Sequence, residues 1–310
     1  MNINTKTVII LYIQNIIKIT INHFIKISYG REAEMEMEMK MKMKKFKLAT
    51  TVLVAAFVFI LSACGTSKTS GGEDKTLKVV TDAAYAPFEY QDKGEVVGFD
   101  IDFINAVAKE AGYKVKVEHV GWDPLFVEIK GKTADIGISS ITINDERKQT
   151  YDFSVPYFLS TNKIMVPKDS PIKSAADLKD KVVAVQNGTT GQEAAEKLLG
   201  KENKNLKKFK DNNLAIMELK GGGADAVVAD NTVIEEYVKN NPNENFIVIE
   251  DEEAFDKEFY GLLFPKGSKL KADFDKAVKE VFENGEYAKI YKKWFKVEPD
   301  ITEIKEQQNK

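Results

Sequence analysis

From residue 77 onward, apolar and polar residues follow a regular order that predicts strands and helices in turn. The short apolar run Leu77 to Thr81 is typical of a buried strand. From Ile101 to Ala111 apolar residues recur at helical spacing, and Gly112 ends the predicted helix. A strand over 113–120, a helix over 124–130 and a strand over 134–139 follow. This alternation predicts an α/β fold built on a parallel sheet.

The same alternation recurs after residue 180 and predicts a second α/β lobe. Strands are predicted over 181–185, 206–209, 226–229, 246–249 and 260–264. Helices are predicted over 191–199, 214–220 and 232–239, with terminal helices over 269–295. Gly221 to Gly223 follow a predicted helix and precede a strand, which is the reverse of the order in a phosphate-binding loop. We therefore predict no nucleotide site.

Upstream of these lobes, residues 41–63 have the layout of a secretory signal peptide. Four lysines precede the 14-residue apolar run Leu48 to Leu61, and Ser62 and Ala63 then lead to Cys64. The run is too short for a membrane span. Leu61 to Cys64, followed by Gly65, resembles the lipobox of bacterial lipoproteins, which implies that Cys64 is lipidated and begins the mature chain. The alternative is a buried structural cysteine.

Residues 1–40 are interpreted as a misassigned start. They end in a low-complexity repeat from Glu34 to Met43, and Met41 or Met43 would begin the signal peptide. The alternative is a membrane segment from Val8 to Ile27, but polar and charged residues interrupt it often. Residues 64–74, rich in Ser, Gly and Thr, are expected to form a flexible tether.

Charge and composition exclude several classes of function. From Cys64 onward, 247 residues remain, with 36 basic and 44 acidic side chains and a formal charge of −8, which argues against nucleic acid as a partner. They hold no cysteine beyond Cys64, so no disulfide or thiolate metal site is expected. Their one histidine, His119, lies in an alternating strand pattern and is predicted at the surface or at a sheet edge. We expect no metal and no cofactor.

Three loops at the carboxyl ends of predicted strands carry the candidate chemistry, because open α/β sheets bind ligands there. The loop residues are Asp82, Tyr85 and Phe88; Ser139, Ser140, Thr142 and Arg147; and Gln186, Thr189, Thr190 and Gln192. The first loop has one acidic and two aromatic residues, which suits a ligand with a cationic group or an apolar stem. An arginine fork matches a carboxylate, and a hydroxyl-rich turn into a helix N-terminus favours anions.

Each loop also has a structural alternative. Asp82 could cap a turn, and Thr189 and Thr190 could be ordinary helix N-caps. Arg147 could form a surface ion pair with Asp145 or Glu146.

Together, five segments carry a family resemblance. They are Thr81–Glu89, Gly98–Ala111, Ser139–Lys148, Tyr151–Tyr157 and Gly285–Phe295. The chain resembles bacterial extracellular solute-binding proteins of family 3 over residues 76–299, in particular the receptors for polar amino acids that serve ABC importers. Its turn from Gln186 to Glu196 looks closest to that of receptors for arginine, lysine or histidine.

The resemblance implies a type II periplasmic-binding-protein-like fold with two lobes. Each lobe would be a mostly parallel sheet flanked by helices, and two hinge strands near 161–165 and 258–262 would join them. Lobe 1 would comprise residues 75–163 and 259–302, and lobe 2 residues 164–258. Residues 303–310 would form a tail.

The resemblance also implies roles for single residues. Arg147 would bind the α-carboxylate of an amino acid with help from backbone amides near Thr142 and Thr190, and Asp230 would bind the α-ammonium. Asp82 would contact the side chain of the bound amino acid, which would lie between Tyr85 and Trp122. The full expected contact set is Asp82, Tyr85, Phe88, Trp122, Ser139, Ser140, Thr142, Arg147, Gln186, Thr189, Thr190, Gln192 and Asp230. Glu89, Asp100 and Asp102 are expected on the surface.

The function that follows is a lipid-anchored receptor that closes around a basic amino acid and delivers it to an ABC permease and ATPase. It would act as a monomer on the outer face of the cytoplasmic membrane. A glutamine receptor is the nearest alternative, although several such relatives place a lysine where this chain has Gln186. Alternatives of another class are an enzyme similar to cyclohexadienyl dehydratase and a sensory lipoprotein. The absence of an uncommitted proton-transfer group beyond Asp82 favours a receptor over an enzyme.

Overall fold

The computed structural model describes residues 76–310. The interpretations of residues 1–40, 41–63 and 64–74, and of Cys64 as a lipidation site, concern residues outside that range. Within 76–310, none of the helices has both the length and the apolar character needed to cross a membrane.

The described part of the chain alternates strands and helices, as its hydrophobic pattern predicts. The strands are β1 (Thr76–Thr81), β2 (Ala84–Tyr85), β3 (Glu89–Asp92), β4 (Glu95–Val97), β5 (Lys114–His119), β6 (Ile136–Gly137), β7 (Tyr151–Phe153), β8 (Phe158–Pro167), β9 (Val183–Gln186), β10 (Leu206–Phe209), β11 (Ala226–Asp230), β12 (Phe246–Ile249), β13 (Lys257–Tyr260) and β14 (Leu263–Pro265). The helices are α1 (Phe99–Glu110), α2 (Trp122–Lys130), α3 (Asp145–Thr150), α4 (Thr190–Leu199), α5 (Asn212–Lys220), α6 (Asn231–Asn240), α7 (Leu270–Glu283), α8 (Glu286–Phe295) and α9 (Thr302–Gln308), with single 3₁₀ turns at Ala175–Leu178 and Pro242–Glu244.

Each lobe has a mixed sheet with helices on both faces. In lobe 1 the strand order is β5-β1-β6-β14-β7, and in lobe 2 it is β10-β9-β11-β8-β12. The first two pairings of each order are parallel and the last two are antiparallel. The expected α/β two-lobe fold is confirmed, but its description as mostly parallel is corrected to mixed. The antiparallel pairings arise where the crossing chain adds β8 to lobe 2 and β14 to lobe 1.

Two antiparallel strands join the lobes. The first half of β8 pairs with β13, from Phe158 opposite Tyr260 to Thr161 opposite Lys257. From Asn162 onward β8 pairs instead with β11, and β12 pairs along its other edge. One long strand therefore leaves lobe 1 and becomes part of the lobe 2 sheet, with β13 returning beside it.

Apolar residues cover both faces of each sheet. Along β1, Val79 packs in the cluster beneath α1, α7 and α8, whereas Val80 packs in a second cluster with Leu125 of α2. In lobe 2, Val183 and Ala184 divide in the same way between two clusters. Successive strand residues point to opposite faces, so these buried strands read as continuous apolar runs rather than as alternating ones.

Two boundaries differ from the sequence-based prediction. The run 260–264 is not one strand but two, β13 and β14, because Tyr260 pairs in the hinge while Leu263 pairs in the lobe 1 sheet. Residues 303–310 are not a free tail, since most of them belong to α9. Ile304 is buried against the lobe 1 core, and Gln308 Nε2 donates a hydrogen bond to the backbone oxygen of Pro156 at 2.7 Å.

Candidate functional site

A cavity lies where the two lobes meet, with about 320 Å³ of open space that includes solvent at its mouth. Its walls are Asp82, Tyr85, Trp122, Ser139, Ser140, Thr142 and Arg147 from lobe 1, with Gln186, Thr189, Thr190 and Asp230 from lobe 2. All but two of the residues expected from the sequence meet here, because the segments at the ends of β1, β5, β6, β9 and β11 border the same cavity.

Arg147 is held rigidly at the cavity wall. Its Nη1 donates to the backbone oxygen of Thr142 at 2.9 Å, and its Nη2 donates to that of Gly188 at 3.2 Å. The guanidinium lies 5.5 Å from the centre of the Trp122 ring and the same distance from that of Phe126. It does not turn outward to Asp145, which binds Lys148 at 3.3 Å. The guanidinium is thus a fixed positive group, and its burial lowers its pKa.

Asp230 closes the opposite wall at the end of β11. The hydroxyl of Tyr260 donates a hydrogen bond to its Oδ2, and the hydroxyl of Tyr85 is also hydrogen-bonded to it. Burial, and then the negative charge of Glu258, raise the pKa of Asp230 to about 7. A cationic ligand group would reverse that shift, because a nearby positive charge favours the ionised carboxylate.

Asp82 sits at the end of β1 with 4 % of its surface exposed. Its Oδ2 accepts a hydrogen bond from Gln186 Nε2 at 3.1 Å, and its Oδ1 is 4.0 Å from Nδ1 of His119. Burial raises its pKa. His119 lies on the edge strand β5, as predicted, and its Nδ1 accepts a hydrogen bond from the backbone N–H of Ala83 at 2.8 Å. The histidine therefore supports the loop that carries Asp82.

The serine segment after β6 forms the floor of the cavity. Ser139 Oγ accepts from the backbone N–H of Asp82 at 3.1 Å and donates to Glu89 at 2.8 Å, so it is fully engaged. Ser140 adopts a left-handed backbone with φ of 49°, which is uncommon outside glycine. Its buried Oγ has no hydrogen-bond partner within the described chain and is available to a ligand.

The turn from β9 into α4 supplies hydroxyl groups from lobe 2. Thr189 is the helix N-cap, since its Oγ1 accepts from the backbone N–H of Gln192 at 3.2 Å. The structural expectation for Thr189 is therefore confirmed. The residue also lines the cavity, and its contact with a ligand stays a prediction. The first turn of a helix presents N–H groups without intrahelical partners, which favours a negative ligand group near Thr190.

Two expected contacts lie elsewhere, and both expectations are corrected. Phe88 is fully buried in the lobe 1 core, where its ring packs edge-on against Phe99 and Phe158. Its neighbour Tyr85 points into the cavity instead. Gln192 accepts from the backbone N–H of Gly188 at 2.7 Å and donates to Glu196 at 2.7 Å. It shapes the turn behind the cavity and does not line it.

Glu258 lies behind the cavity wall, where it contacts two lining residues, and the sequence analysis did not identify it. On hinge strand β13, its Oε2 accepts from the hydroxyls of Thr142 of lobe 1 at 2.6 Å and Thr190 of lobe 2 at 2.8 Å. Its Oε1 accepts from Asn162 Nδ2 at 2.7 Å. Burial raises its pKa. No signal in the sequence separates it from the other acids between Glu250 and Glu258.

Two of the three acids expected on the surface, Glu89 and Asp100, are also corrected. Glu89 and Asp100 are fully buried beneath the cavity floor. Asp102 is half-buried and pairs with Lys293, and it also accepts a hydrogen bond from Trp294 Nε1 at 2.7 Å. Charged residues are rarely buried unless they have partners. The partners of Glu89 and Asp100 are distant in the chain and come close only in the folded protein, so the sequence did not indicate that these two acids are buried.

The profile described as "Bacterial extracellular solute-binding proteins, family 3" matches residues 77–297, which is most of the chain. The chain belongs to this family. The "Probable histidine-binding protein" of Neisseria gonorrhoeae is 41% identical over 252 residues, covering 78% of this chain and 93% of that protein. The "Arginine-binding extracellular protein ArtP" of Bacillus subtilis (strain 168) is 37% identical over 250 residues, covering 79% of this chain and 96% of that protein.

Among solved structures, the chain is similar to the arginine-, lysine-, histidine-binding protein ArtJ of the thermophilic bacterium Geobacillus stearothermophilus. The two share 55% identity with a TM-score of 0.73, and the match covers 74% of this chain and all of the ArtJ chain. The family 3 relatives named here are binding proteins, and the fold is that of a type II periplasmic binding protein.

Proposed function

We propose that this protein is an extracellular receptor for a basic amino acid, with arginine, lysine and histidine as the candidate ligands. The observation that carries the proposal is the pairing, in one inter-lobe cavity, of a fixed arginine with two buried aspartates. Arg147 suits the α-carboxylate, and Asp230 suits the α-ammonium. Asp82 then remains for a positive group on the ligand side chain.

The formal charge of the cavity supports a cationic ligand. Its lining carries Asp82, Asp230 and Arg147, and the buried Glu258 lies directly behind Thr142 and Thr190, so these four groups sum to −2 when all are ionised. A basic amino acid carries +1 and offsets part of this negative charge. A neutral amino acid such as glutamine offsets none of it, which is costly in a dry site. The names of the relatives as histidine- or arginine-binding proteins agree with this choice.

The environment of Asp82 argues against glutamine as the preferred ligand. Its only hydrogen-bond donor among the described side chains is the neutral amide of Gln186. A lysine in place of Gln186 would neutralise Asp82 and repel a cationic ligand. The amide instead orients the carboxylate and leaves its charge available.

We further propose that the protein works by hinge closure. The cavity has walls from both lobes, so a ligand makes its full set of contacts only when the lobes meet, and it shifts the population toward that state by its differential affinity. The Trp122 indole N–H and an Arg147 N–H both reach across to the Gly188 carbonyl of lobe 2. These contacts hold the lobes together around the site.

We propose that the chain is a receptor and not an enzyme. Catalysis would need a group positioned to transfer a proton. The two carboxylic acids that line the cavity are both assigned to ligand binding, Asp82 to a side-chain cation and Asp230 to the α-ammonium, and the lining holds no further carboxyl group, histidine or lysine. Incubation with small carboxylic acids that a dehydratase of this fold could use should therefore leave these compounds unchanged.

We also propose that Cys64 anchors the protein on the outer face of the cytoplasmic membrane, next to an ABC permease and ATPase. A lipid anchor and a short tether would raise the local concentration of the receptor at its permease. A Cys64→Ser protein should be released from the membrane and should support less amino acid uptake, while its ligand affinity stays the same. Full membrane retention of Cys64→Ser would refute the anchor.

A thermal-shift screen across the twenty amino acids tests the proposed function. A ligand that binds only the folded state raises the melting temperature. Arginine, lysine or histidine should give the largest shift. If no amino acid raises the melting temperature, the protein is not an amino acid receptor, and if glutamine gives the largest shift, the basic specificity is wrong.

A further inference from the structure

Two carboxyl groups lie buried side by side beneath the cavity floor, outside the cavity lining. Glu89 begins β3 and Asp100 is the second residue of α1, and both are completely inaccessible to solvent. Within residues 76–310, no cationic side chain pairs with either of them. A buried carboxylate without a countercharge is strongly disfavoured. The structure must therefore compensate for these two groups in another way.

The backbone brings the two carboxyl groups together. The N–H of Phe99 donates to the Pro87 oxygen at 3.0 Å, and the N–H of Asp100 donates to the Phe88 oxygen at 2.9 Å. A Cβ at Gly98 would lie 1.9 Å from that same oxygen of Phe88, so only glycine permits this approach. The start of α1 is thereby held against the residues that lead into Glu89.

The hydrogen-bond inventory of the pair is complete except for two atoms. Glu89 Oε1 accepts from Ser139 Oγ at 2.8 Å. Asp100 Oδ2 accepts from the backbone N–H of Ser140 at 2.8 Å and from the Tyr157 hydroxyl at 2.9 Å. The remaining oxygens, Oε2 of Glu89 and Oδ1 of Asp100, are buried and meet no N–H or hydroxyl donor in the described chain. One unpartnered oxygen thus belongs to each of two neighbouring carboxyl groups.

We propose that Glu89 and Asp100 share one proton as a carboxylic acid–carboxylate pair, and that this pair positions the Ser139–Ser140 segment for the ligand. A single proton on Glu89 Oε2, donated to Asp100 Oδ1, satisfies both unpartnered oxygens at once. The ionised member is Asp100, because it lies in the first turn of α1, where the helix dipole favours negative charge. It also accepts the two other donors as a charge-assisted hydrogen-bond acceptor.

The electrostatics agree with this placement of the proton. Burial, and then the neighbouring Asp100, raise the pKa of Glu89 well above its usual range. Burial raises the pKa of Asp100 only to about 6, because hydrogen bonds from Ser140, Glu89 and Tyr157 oppose the shift. The other titratable groups whose charge acts on the pair are acids or phenols, namely Asp82, Tyr85, Tyr157 and Tyr287.

The pair connects to the ligand site through two adjacent serines. Glu89 fixes the Ser139 hydroxyl, which in turn accepts the backbone N–H of Asp82. Asp100 fixes the backbone of Ser140, whose left-handed conformation places an unpartnered hydroxyl at the cavity. One buried proton thus organises both the loop of Asp82 and the cavity floor. The effect on ligand affinity rests on the proposed receptor function, whereas the shared proton does not.

Infrared spectroscopy of the ligand-free protein tests directly whether Glu89 carries the proton that the pair requires. A protonated carboxylic acid shows a carbonyl stretch that an ionised carboxylate lacks. The wild-type minus Glu89→Gln difference spectrum at neutral pH should show this band. Substitution of Glu95, an exposed glutamate on β4, to Gln should leave the band in place. A difference spectrum without an acid band would overturn the proposal, and no ligand is needed for this result.

Arginine affinity, measured by calorimetry, tests the positioning role. In Glu89→Gln, the amide oxygen can accept from Ser139 and the amide N–H can donate to Asp100, so affinity should stay within about threefold of wild type. Glu89→Ala removes both of these hydrogen bonds and should weaken arginine binding by about tenfold or more. Equal losses in the two variants would contradict positioning through hydrogen bonds. The infrared comparison needs only wild type and Glu89→Gln, so it decides whether Glu89 carries the proton even where Glu89→Ala fails to fold.

Discussion

Gln186 of lobe 2 donates a hydrogen bond to the buried carboxylate of Asp82 in lobe 1, with 3.1 Å between Nε2 and Oδ2. This contact joins the lobes inside the cavity and orients the carboxylate without neutralising it. The charge of Asp82 is therefore available to a ligand, and the two residues together set the expected preference for a cationic side chain.

Asp82→Asn should weaken arginine binding by about tenfold or more, because the side-chain cation loses its countercharge. Glutamine binding should change little, since an asparagine still hydrogen-bonds with a neutral amide. Calorimetry with both ligands measures the difference. Asp123→Asn is the matched control, because it removes an exposed carboxylate close enough to act on the charge of Asp82. Equal losses of affinity for arginine and glutamine in Asp82→Asn would show that Asp82 does not select a cationic side chain.

Arg147→Ala should abolish measurable binding of every amino acid, whatever its side chain. The expected loss is roughly 2–5 kcal/mol, the cost of breaking a buried charge pair. The guanidinium is held by two backbone carbonyls and two aromatic rings, so no neighbouring group can replace it. Lys148→Ala, which removes an exposed neighbour on α3, serves as the control. Affinity retained in Arg147→Ala would show that the α-carboxylate binds elsewhere.

Ligand affinity should depend on pH through Asp230. Its pKa of about 7 in the ligand-free protein lies above its usual range, so it is largely protonated below that pH. Binding an α-ammonium requires the ionised form and releases the proton. Affinity should therefore be constant above this pKa and fall as the pH decreases below it. Calorimetry in buffers of different ionisation enthalpy should detect the released proton, and binding without proton release below pH 7 would contradict the role of Asp230.

The same shift predicts how the stability of the ligand-free protein varies with pH. The folded-state pKa of Asp230 is above its unfolded value, so the folded state holds more protons between the two values. The Asp230 contribution to stability is therefore lost as the pH rises from about 4 to about 7. The measurement is the free energy of unfolding at several pH values in wild type and Asp230→Asn. The pH slopes should differ across this window, and identical slopes would show that Asp230 is not shifted.

Glu258→Gln should reduce arginine affinity by about two- to tenfold without changing the ligand preference. The two carboxylate oxygens accept from Thr142, Thr190 and Asn162, and glutamine keeps only one acceptor oxygen. Loss of this link between lobes should favour the open state and lower the apparent affinity. Small-angle scattering of the ligand-free protein should show a larger radius of gyration. An unchanged radius together with unchanged affinity would exclude this role.

Much of the fold follows from local sequence patterns. Strands such as β10 and β12 and helices such as α4 have apolar spacing that matches their observed bounds within a residue. The strand at 134–139 shortens to β6, because only Ile136 and Gly137 find ladder partners. Helix α9 was missed since Ile304 is a single apolar residue in a charged segment, and its burial depends on a surface that lobe 1 provides.

The candidate site was predictable where its residues follow strand ends. Asp82, Gln186 and Asp230 come at or next to the end of a buried strand, and Ser139 comes two residues after one. Such ends meet at one edge of each sheet. The sequence could not show that Tyr85 faces the cavity while Phe88 faces the core, because the direction of each ring depends on the turn between β2 and β3. Glu258 and the pair of Glu89 and Asp100 could not be found, since their partners are distant in the chain.

The most direct test of the account compares arginine with citrulline by calorimetry on the purified protein. Citrulline has the same backbone and nearly the same shape, but a neutral urea group replaces the guanidinium. If Asp82 reads a cation while Arg147 and Asp230 bind the backbone, arginine should bind at least about tenfold more tightly than citrulline. Equal affinities for arginine and citrulline, or tighter binding of glutamine than of arginine, would contradict the account.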